Sequence, residues 1–263
     1  MPPFRITELT APLRKEARGD IYREKIPGLN GFRGLPGPTR RVYDLVAGIY
    51  PLSTFLFHEK AHKVALSLAG IRDGMRVLEA ATGSGEMFGR LVRINPRGLT
   101  CGFDLSPNMA ARTQRLARRH LPRAKAHCQA VDACSMPFRD GSFDAVVCCY
   151  LLELMGSEEI LRALGEIHRV LRPNGRLALV MIGQSVPAFN AVYKVAGGLA
   201  PAFWGRQVEK AIPEAIGCYD FKVEHDRNVQ QGFYPSRVMI ARKQQPGMVV
   251  SSGRRLHGER NPD

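Results

Sequence analysis

The sequence lacks the features of membrane-spanning, secreted and disulfide-linked proteins. No run approaches the roughly 20 apolar residues that a helix needs to cross a bilayer, and the nearest segment, Pro187–Trp204, carries Lys194 in its middle. The amino terminus has no continuous apolar stretch of the kind found in a secretory signal. The six cysteines form no C-x-x-C pair and lie mostly in apolar runs, which is typical of buried thiols in a reducing compartment. We therefore predict a cytoplasmic protein.

Acidic residues are also scarce. The 263 residues include 38 Lys and Arg against 24 Asp and Glu, which gives a net charge of +14. So basic a balance points to an anionic partner such as nucleic acid or a membrane surface, unless it reflects composition alone. The hydrophobic fraction of 44%, with 26 Gly and 18 Pro, fits one globular domain with irregular ends.

Over most of its length the chain alternates between strand-like and helix-like runs. The predicted strands are Met75–Ala80, Leu99–Phe103, Ala126–Ala130, Phe143–Tyr150 and Arg176–Ile182, with two more near Tyr219–His225 and Ser236–Ala241. The predicted helices are Glu86–Ile94, Pro107–His120 and Ser157–Leu171, after a helical stretch at Tyr43–Gly70 that is broken at Pro51. Such alternation predicts an α/β fold with βαβ units and a mostly parallel sheet.

The ends of the chain and one internal segment have a different composition. Residues 1–42 form a basic arm rich in Pro and Gly, and residues 244–263 form a polar tail that we expect to be disordered. Between them, residues 43–243 form the domain, with an apolar insertion at 187–216 that is interrupted by Pro and Gly.

A glycine turn follows the first predicted strand. Gly83 and Gly85 lie in this turn, and Asp104 comes directly after the second strand. In a doubly wound sheet, glycines in the first turn let the backbone approach a ligand, and an acid about 20 residues later accepts hydrogen bonds from ribose hydroxyls. A glycine turn by itself is weak evidence, because such turns also use glycine for steric reasons alone.

Four blocks of residues resemble the class I S-adenosylmethionine-dependent methyltransferases and follow in that family's order between Tyr43 and Lys243. The blocks are Glu79–Gly85, Gly102–Met109, a third made of Asp132–Ala133, Met136–Phe138 and Ser142–Asp144, and Leu171–Gly175. Within the family, the chain is most similar to the branch of ubiquinone/menaquinone-biosynthesis and phospholipid N-methyltransferases. The resemblance implies a doubly wound, Rossmann-like sheet of seven mostly parallel strands, the last antiparallel, with an N-terminal helical cap. It also implies S-adenosyl-L-methionine as cofactor and methyl transfer to a small lipophilic acceptor, such as a lipid amine, a phenol or a quinol.

The resemblance further implies roles for individual residues. Gly83 and Gly85 pass beneath the methionine part of the cofactor, and Glu79 holds its ammonium group through a charge-assisted contact. Asp104 accepts hydrogen bonds from the ribose hydroxyls. The other implied cofactor-binding residues are Ala81, where the family usually has Gly, Leu105 and Met109 beside the adenine, Asp132 and Ala133 at its edge, and Tyr150 beside the sulfonium. Leu105 and Met109 also suit a core, and Asp132 also suits the cap of a short helix at Ser135.

Four residues are candidates for removing a proton from the acceptor. They are Tyr50, His58, His62 and Glu153. For Glu153, a solvated acid at a helix start that complements the helix dipole is the simpler interpretation. The quinone-methylating members of the family carry Asn and Trp signatures in the stretch corresponding to residues 50–57. Here that stretch contains neither residue, which argues against a quinone acceptor.

Three other interpretations stay open at the level of sequence. His58–His62 matches H-E-x-x-H, the pattern of zinc hydrolases, but the downstream acids Glu79 and Glu86 lie in or beside the glycine turn, so we predict no metal site. A nicotinamide-dependent oxidoreductase would need Gly-x-Gly-x-x-Gly, whereas Phe88 stands in the third slot. The third alternative is a non-catalytic module that binds a membrane or a partner.

The distribution of basic residues argues against a nucleic-acid partner. Arg112, Arg115 and Arg119 lie on one side of a predicted helix, where a solvated face is the expected role, and no aromatic residues are interleaved with them. The basic arm and the apolar segment 189–204 instead suit peripheral contact with an anionic membrane.

Overall fold

The structure is a computed structural model that describes residue 10 and residues 50–187, 189–190, 208–232 and 234–245, with side chains from residue 58 in the second of these ranges. Most of the arm, most of the 187–216 insertion and nearly all of the tail therefore lie outside the described residues, as does the side chain of Tyr50. The domain boundaries drawn from the sequence stay predictions.

The described residues form a seven-stranded sheet with the order β3-β2-β1-β4-β5-β7-β6. Strands β1 to β5 are parallel to one another, and β7 runs antiparallel to both β5 and β6. The strands are β1 Arg76–Ala80, β2 Leu99–Asp104, β3 Lys125–Ala130, β4 Phe143–Cys149, β5 Leu171–Ile182, β6 Phe221–Gln231 and β7 Tyr234–Lys243. This confirms the predicted α/β, Rossmann-like class with its antiparallel last strand.

Among the described residues, five named helices and one 3-10 turn, at Leu152–Leu154, flank the sheet. The helices are α1 Tyr50–Ala69, α2 Glu86–Ile94, α3 Pro107–His120, α4 Ser157–Val170 and α5 Ile212–Gly217. Helix α3 begins where the sequence predicts, because the Ser106 side chain accepts a hydrogen bond from Met109 N and Pro107 occupies the first turn. None of the helices in the described residues is both long and apolar enough to span a bilayer.

Several element boundaries differ from the prediction, and β5, for example, begins at Leu171 rather than at Arg176. In the described part of the chain α1 begins at Tyr50, so Pro51 lies in a first turn, where its missing N–H breaks no helical hydrogen bond. Strand β6 continues to Gln231, beyond the predicted His225. Because β6 is an edge strand whose side chains are mostly exposed, its polar second half carries no hydrophobic pattern.

Both faces of the sheet are covered. Ala61, Ala65 and Ala69 of α1 pack with Val238 and Ile240 of β7 on one face, and α4 and α5 pack on the other. The strand order reverses between β1 and β4, so the carboxyl ends of these two strands border a crevice. In open parallel sheets, ligands bind in the crevice at such a reversal.

Candidate functional site

The glycine turn after β1 lies at this reversal. Gly83 and Gly85 have φ angles of 48° and 82°, a left-handed backbone that favours glycine. A Cβ atom on Gly85 would lie 2.7 Å from Thr113 Oγ1, whereas one on Gly83 would meet nothing within 4 Å. The turn is thus packed against α3 at Gly85 and open at Gly83, where a ligand can approach the backbone.

Ala81 adopts the same left-handed backbone, with φ of 60°, although it carries a Cβ atom. For an L-residue this conformation costs about 1–2 kcal/mol. A glycine would adopt this conformation without that cost. Backbone strain of this kind, at Ala81 next to the open backbone of Gly83, is typical of a functional turn.

The Asp104 side chain links the ends of β1 and β2 through hydrogen bonds. Its Oδ2 accepts a hydrogen bond from Gly83 N at 2.8 Å, and its Oδ1 accepts one from Ser106 N at 3.0 Å. These two bonds fix the orientation of the carboxylate at the carboxyl end of β2. A carboxylate in this position is an acceptor for hydrogen bonds from hydroxyl groups.

Glu79 lies behind the turn and is 2% exposed. Its Oε2 makes no hydrogen bond to any described residue. Burial, together with the negative charge of Asp104, raises the pKa of this carboxyl well above its ordinary value. A buried carboxyl with an unpaired oxygen is costly on its own and fits a cationic ligand group such as an ammonium.

The residues expected beside the adenine have contrasting environments. Leu105 is 53% exposed at the end of β2, whereas Met109 is buried at the start of α3. Asp132 is exposed, and its Oδ1 accepts a hydrogen bond from Cys134 N at 2.8 Å. Residues 132–135 form a turn closed by Ser135 N on Asp132 O rather than a short helix, so the capping alternative for Asp132 is wrong.

An aromatic cluster lies across the crevice from the glycine turn, over the ends of β4 and β5. The imidazole of His58 stacks on the ring of Tyr150, with centroids 3.9 Å apart and planes inclined by 25°. The Tyr150 hydroxyl shares a hydrogen bond of 2.8 Å with Ser236 Oγ. Tyr234 and His62 complete the cluster, with ring centroids 5.3 and 6.0 Å from that of His58.

Tyr150 follows β4 instead of ending it, because its φ of 52° takes it out of the strand conformation. A bulky residue in this region is uncommon and marks local strain, which concentrates at ligand sites. The strained backbone turns the Tyr150 ring toward α1, where it meets His58.

Both histidines are neutral near pH 7. Burial, followed by the effect of His62, lowers the pKa of His58 to about 3. Burial, followed by the positive charge of Arg90, lowers the pKa of His62 to about 4. Nδ1 of His58 and both ring nitrogens of His62 are buried and form no hydrogen bonds with the described residues. The cluster therefore holds buried, neutral imidazole nitrogens that have no partner among the described residues.

The H-E-x-x-H pattern does not form a zinc site in the part of the chain that the structure describes. Glu59 forms an ion pair with Lys63 at 2.7 Å. No three His, Cys, Asp or Glu side chains among the described residues are placed to hold a metal ion together.

Glu153 is not the solvated acid that the sequence favoured, and that interpretation is wrong. The residue is 1% exposed, and its Oε1 accepts a hydrogen bond from Ile182 N at 2.6 Å. Burial raises the pKa of this carboxyl to about 7. The backbone N–H at the end of β5 needs an acceptor, and the 3-10 turn after β4 brings Glu153 inward to supply one.

Sequence reasoning missed Ser236 and Tyr234, which the fold adds to the aromatic cluster. Both lie on β7 and reach the crevice because β7 pairs antiparallel with β5, which places Ser236 opposite Ile182. No motif or spacing marks either residue in the sequence.

Comparisons with known proteins agree with this geometry. A sequence profile described as a methyltransferase domain matches residues 77–175. The ubiquinone/menaquinone biosynthesis C-methyltransferase of Desulfotalea psychrophila is 30% identical over 185 residues, which cover 69% of this chain and 68% of that one. The demethylmenaquinone methyltransferase of Thermus thermophilus is 31% identical over 164 residues, or 59% of this chain and 72% of that one. Both names refer to quinones, contrary to the expectation from residues 50–57.

Solved structures agree at the level of the fold. An S-adenosylmethionine-dependent methyltransferase from Aquifex aeolicus superimposes with a TM-score of 0.57 at 18% identity, over 78% of this chain and 98% of that one.

Proposed function

The chain belongs to the S-adenosylmethionine-dependent methyltransferases, and we propose that it methylates a small lipophilic acceptor of the quinol type. The observation that carries the proposal is Glu79, a buried carboxyl with an unpaired oxygen beside Asp104 and the open glycine turn. The alternative of a nicotinamide-dependent oxidoreductase gains no support, because the residue in its third glycine slot, Phe88, is 1% exposed in the core.

The cofactor would lie along the ends of β1 and β2. In this proposal Glu79 holds the ammonium, the backbone at Ala81, Gly83 and Gly85 lies beneath the methionine part, and Asp104 accepts from the ribose hydroxyls. Leu105 and Met109 flank the adenine, Asp132 and the Ala133 N–H meet its edge, and Tyr150 lies beside the sulfonium. When bound, S-adenosylmethionine supplies an activated methyl group that an acceptor nucleophile takes by in-line displacement.

The protein's contribution to this reaction is orientation and the exclusion of water. The proposed cofactor residues lie at the ends of β1 and β2, so the acceptor would lie on the other side of the reversal, over β4, β5 and β7. That region carries the aromatic cluster of His58, Tyr150 and Tyr234. Aromatic faces suit a planar, lipophilic acceptor ring.

Of the four candidates for a general base, we propose His58. His58 stacks on Tyr150 and is partly exposed as a residue, although its unpaired Nδ1 is buried, whereas His62 is 3% exposed. Glu153 is also a poor candidate, because its Oε1 holds the Ile182 backbone. The negative charge that develops on the quinol beside the ring would raise the pKa of the imidazole in the complex, so that the neutral ring can take the proton that the quinol hydroxyl loses.

Replacing His58 by phenylalanine is expected to lower kcat by about 100-fold or more, the usual contribution of general-base catalysis, while S-adenosylhomocysteine binds as before. The pH profile of kcat/KM for the acceptor, measured at saturating S-adenosylmethionine so that Glu79 is already paired, identifies the base. With His58 as base the profile stays flat from about pH 5 to 8, because its pKa of about 3 keeps the imidazole neutral there. A fall below pH 7 would instead point to Glu153, whose pKa is about 7. His127→Phe, on the exposed edge strand β3, is the matched control.

The activity itself is tested by supplying labelled S-adenosylmethionine with a reduced demethylquinone in lipid vesicles. We expect the label to enter the quinone fraction, and we expect faster transfer from vesicles that contain anionic lipid. The second expectation tests our further proposal that the basic arm and the apolar insertion contact an anionic membrane, which the net charge of +14 supports. Absence of any S-adenosylhomocysteine binding by calorimetry would refute the proposed function, whereas label in a phospholipid amine would correct only the acceptor.

A further inference from the structure

Helix α4 carries two side chains that hold the backbone between β3 and β4. Glu166 Oε2 accepts a hydrogen bond from Met136 N at 2.6 Å. The Arg169 guanidinium donates to Met136 O at 2.9 Å and to Phe138 O at 2.6 Å. We call Glu166 and Arg169 the α4 clamp. The clamp supplies to this segment the hydrogen bonds that a neighbouring strand would otherwise make.

The two members of the clamp also fix each other. Arg169 Nε and Nη2 donate to the two oxygens of Glu166 at 2.7 and 2.8 Å, a bidentate arrangement. Glu166 is 8% exposed. Arg169 Nη1 also reaches Asp140 Oδ1 at 2.9 Å. A planar guanidinium held at this many points has little freedom, so the carbonyls that it binds are held precisely.

The segment held by the clamp begins with the residues expected to read the adenine. Asp132 and Ala133 lie in the turn that Ser135 N and Cys134 N close onto Asp132. The next residue, Met136, is bound by the clamp at both its N–H and its carbonyl. At the other end, Val131 N donates to Asp104 O at 3.0 Å. Asp132 is exposed, so no surrounding packing fixes its position. Its position therefore depends on how the two ends of the turn are held.

We propose that Glu166 and Arg169 are positioning residues that set the enzyme's selectivity for adenine. By fixing Met136, they keep the Asp132 carboxylate and the Ala133 N–H where these groups can form hydrogen bonds with the amino group and the ring nitrogen of the base. This inference rests on the proposed function, because it takes the cofactor to be an adenosyl compound bound at this turn. Neither residue touches the cofactor in this account, and both act through the backbone.

S-Inosylhomocysteine is the probe that separates positioning from simple stabilisation. Hypoxanthine has a carbonyl where adenine has an amino group, and a ring N–H where adenine has an acceptor. The contacts that the Asp132 carboxylate and the Ala133 N–H make with the base therefore change from attractive to repulsive. A site that hydrogen-bonds a base edge rejects such an analogue strongly, and we expect the wild-type protein to prefer S-adenosylhomocysteine by about 100-fold.

The experiment measures the dissociation constants of both ligands by calorimetry on the full chain carrying Arg169→Lys or Glu166→Gln. We expect the affinity for S-adenosylhomocysteine to fall about tenfold, and that for S-inosylhomocysteine to stay within about twofold or to rise, because the analogue has no such hydrogen bonds to lose and a looser turn relieves its repulsion. Arg237→Lys is the matched control. Arg237 also pairs bidentately with a carboxylate, Asp226, and binds a backbone carbonyl, that of Glu209, but at the other edge of the sheet. The Arg237→Lys protein should prefer S-adenosylhomocysteine over S-inosylhomocysteine to the same extent as the wild type.

Equal loss of both ligands in the clamp variants would overturn the proposal, because it would show a purely structural role. Should Arg169→Lys fail to fold, Glu166→Gln decides the outcome, since a glutamine oxygen can still accept from Met136 N while the charge that fixes Arg169 is lost. Wild-type protein that binds the two ligands equally would show that the turn does not read adenine, and it would overturn the inference while leaving the methyltransferase function intact. Wild-type protein that binds neither would refute the proposed function itself.

Discussion

Replacing Asp104 by alanine should weaken the binding of S-adenosylhomocysteine by about 100-fold or more, because two hydrogen bonds to a charged acceptor are lost, each worth about 1.5–3 kcal/mol. The same change removes the acceptor for Gly83 N and Ser106 N, so the glycine turn also loses its fixed position. Calorimetric titration of the purified variant measures the effect.

A second aspartate provides the matched control for this prediction. Asp73 also accepts a backbone hydrogen bond, from Arg97 N at 2.8 Å, and pairs with the Arg97 side chain at 2.6 Å, but it precedes the amino end of β1. Asp73→Ala should bind the ligand as the wild type does. Asp104→Asn, which keeps one acceptor oxygen, should fall between the wild type and Asp104→Ala. If Asp104→Ala bound within about threefold of the wild type, the ribose contact would lie elsewhere.

Replacing Glu79 by glutamine is expected to stabilise the free protein and to weaken ligand binding. The glutamine removes a buried ionisable group with an unpaired oxygen, which should raise the free energy of unfolding by about 1–3 kcal/mol near neutral pH. It also removes the charge that would hold the cofactor ammonium, so the affinity for S-adenosylhomocysteine should fall by about 10- to 100-fold.

The stability gain from Glu79→Gln should depend on pH with a definite sign. The folded-state pKa of Glu79 lies above its ordinary value of 4.5, so the unfolded chain loses this proton more readily than the native protein does. The carboxyl therefore costs no stability below about pH 4.5, and its cost grows as the pH rises toward the folded-state pKa. Urea unfolding of the wild type and the variant at a series of pH values should measure this cost. The difference between their free energies of unfolding should grow as the pH rises above about 4.5.

Glu153→Gln is the control that separates burial from ligand binding. Glu153 is also a buried carboxyl, with its pKa raised to about 7, but in our proposal it does not contact the cofactor. Its replacement should give a similar pH-dependent gain in stability and leave S-adenosylhomocysteine affinity unchanged. A Glu79→Gln protein that is less stable than the wild type, or that binds the ligand normally, would contradict the assignment of Glu79.

Ligand binding should also release a proton, for the same reason. An ammonium beside Glu79 favours the ionised carboxylate, so binding lowers a pKa that is raised in the free protein. The affinity should consequently increase with pH up to the free-state pKa of Glu79, as the linkage between proton release and binding requires.

Much of the fold was predictable because local patterns and the global architecture agree. Buried parallel strands are continuous apolar runs, and the Pro107 and Ser106 signals at the start of α3 depend on neighbouring residues alone. The glycine turn and Asp104 were predictable for a similar reason. Both follow the carboxyl ends of adjacent parallel strands, and such ends meet at one edge of a sheet.

The sequence by itself therefore determined the α/β class, the order of its elements, and the positions of the glycine turn and Asp104 at the ends of β1 and β2. Only the tertiary structure decided that the Glu153 side chain is buried, that His58 stacks on Tyr150, and that Glu166 and Arg169 bind the backbone of Met136, after the turn of Asp132. These contacts join residues on different elements, such as α1 and the end of β4 or α4 and the segment after β3. Spacing along the chain carries no record of them, because each depends on which elements the sheet order brings side by side.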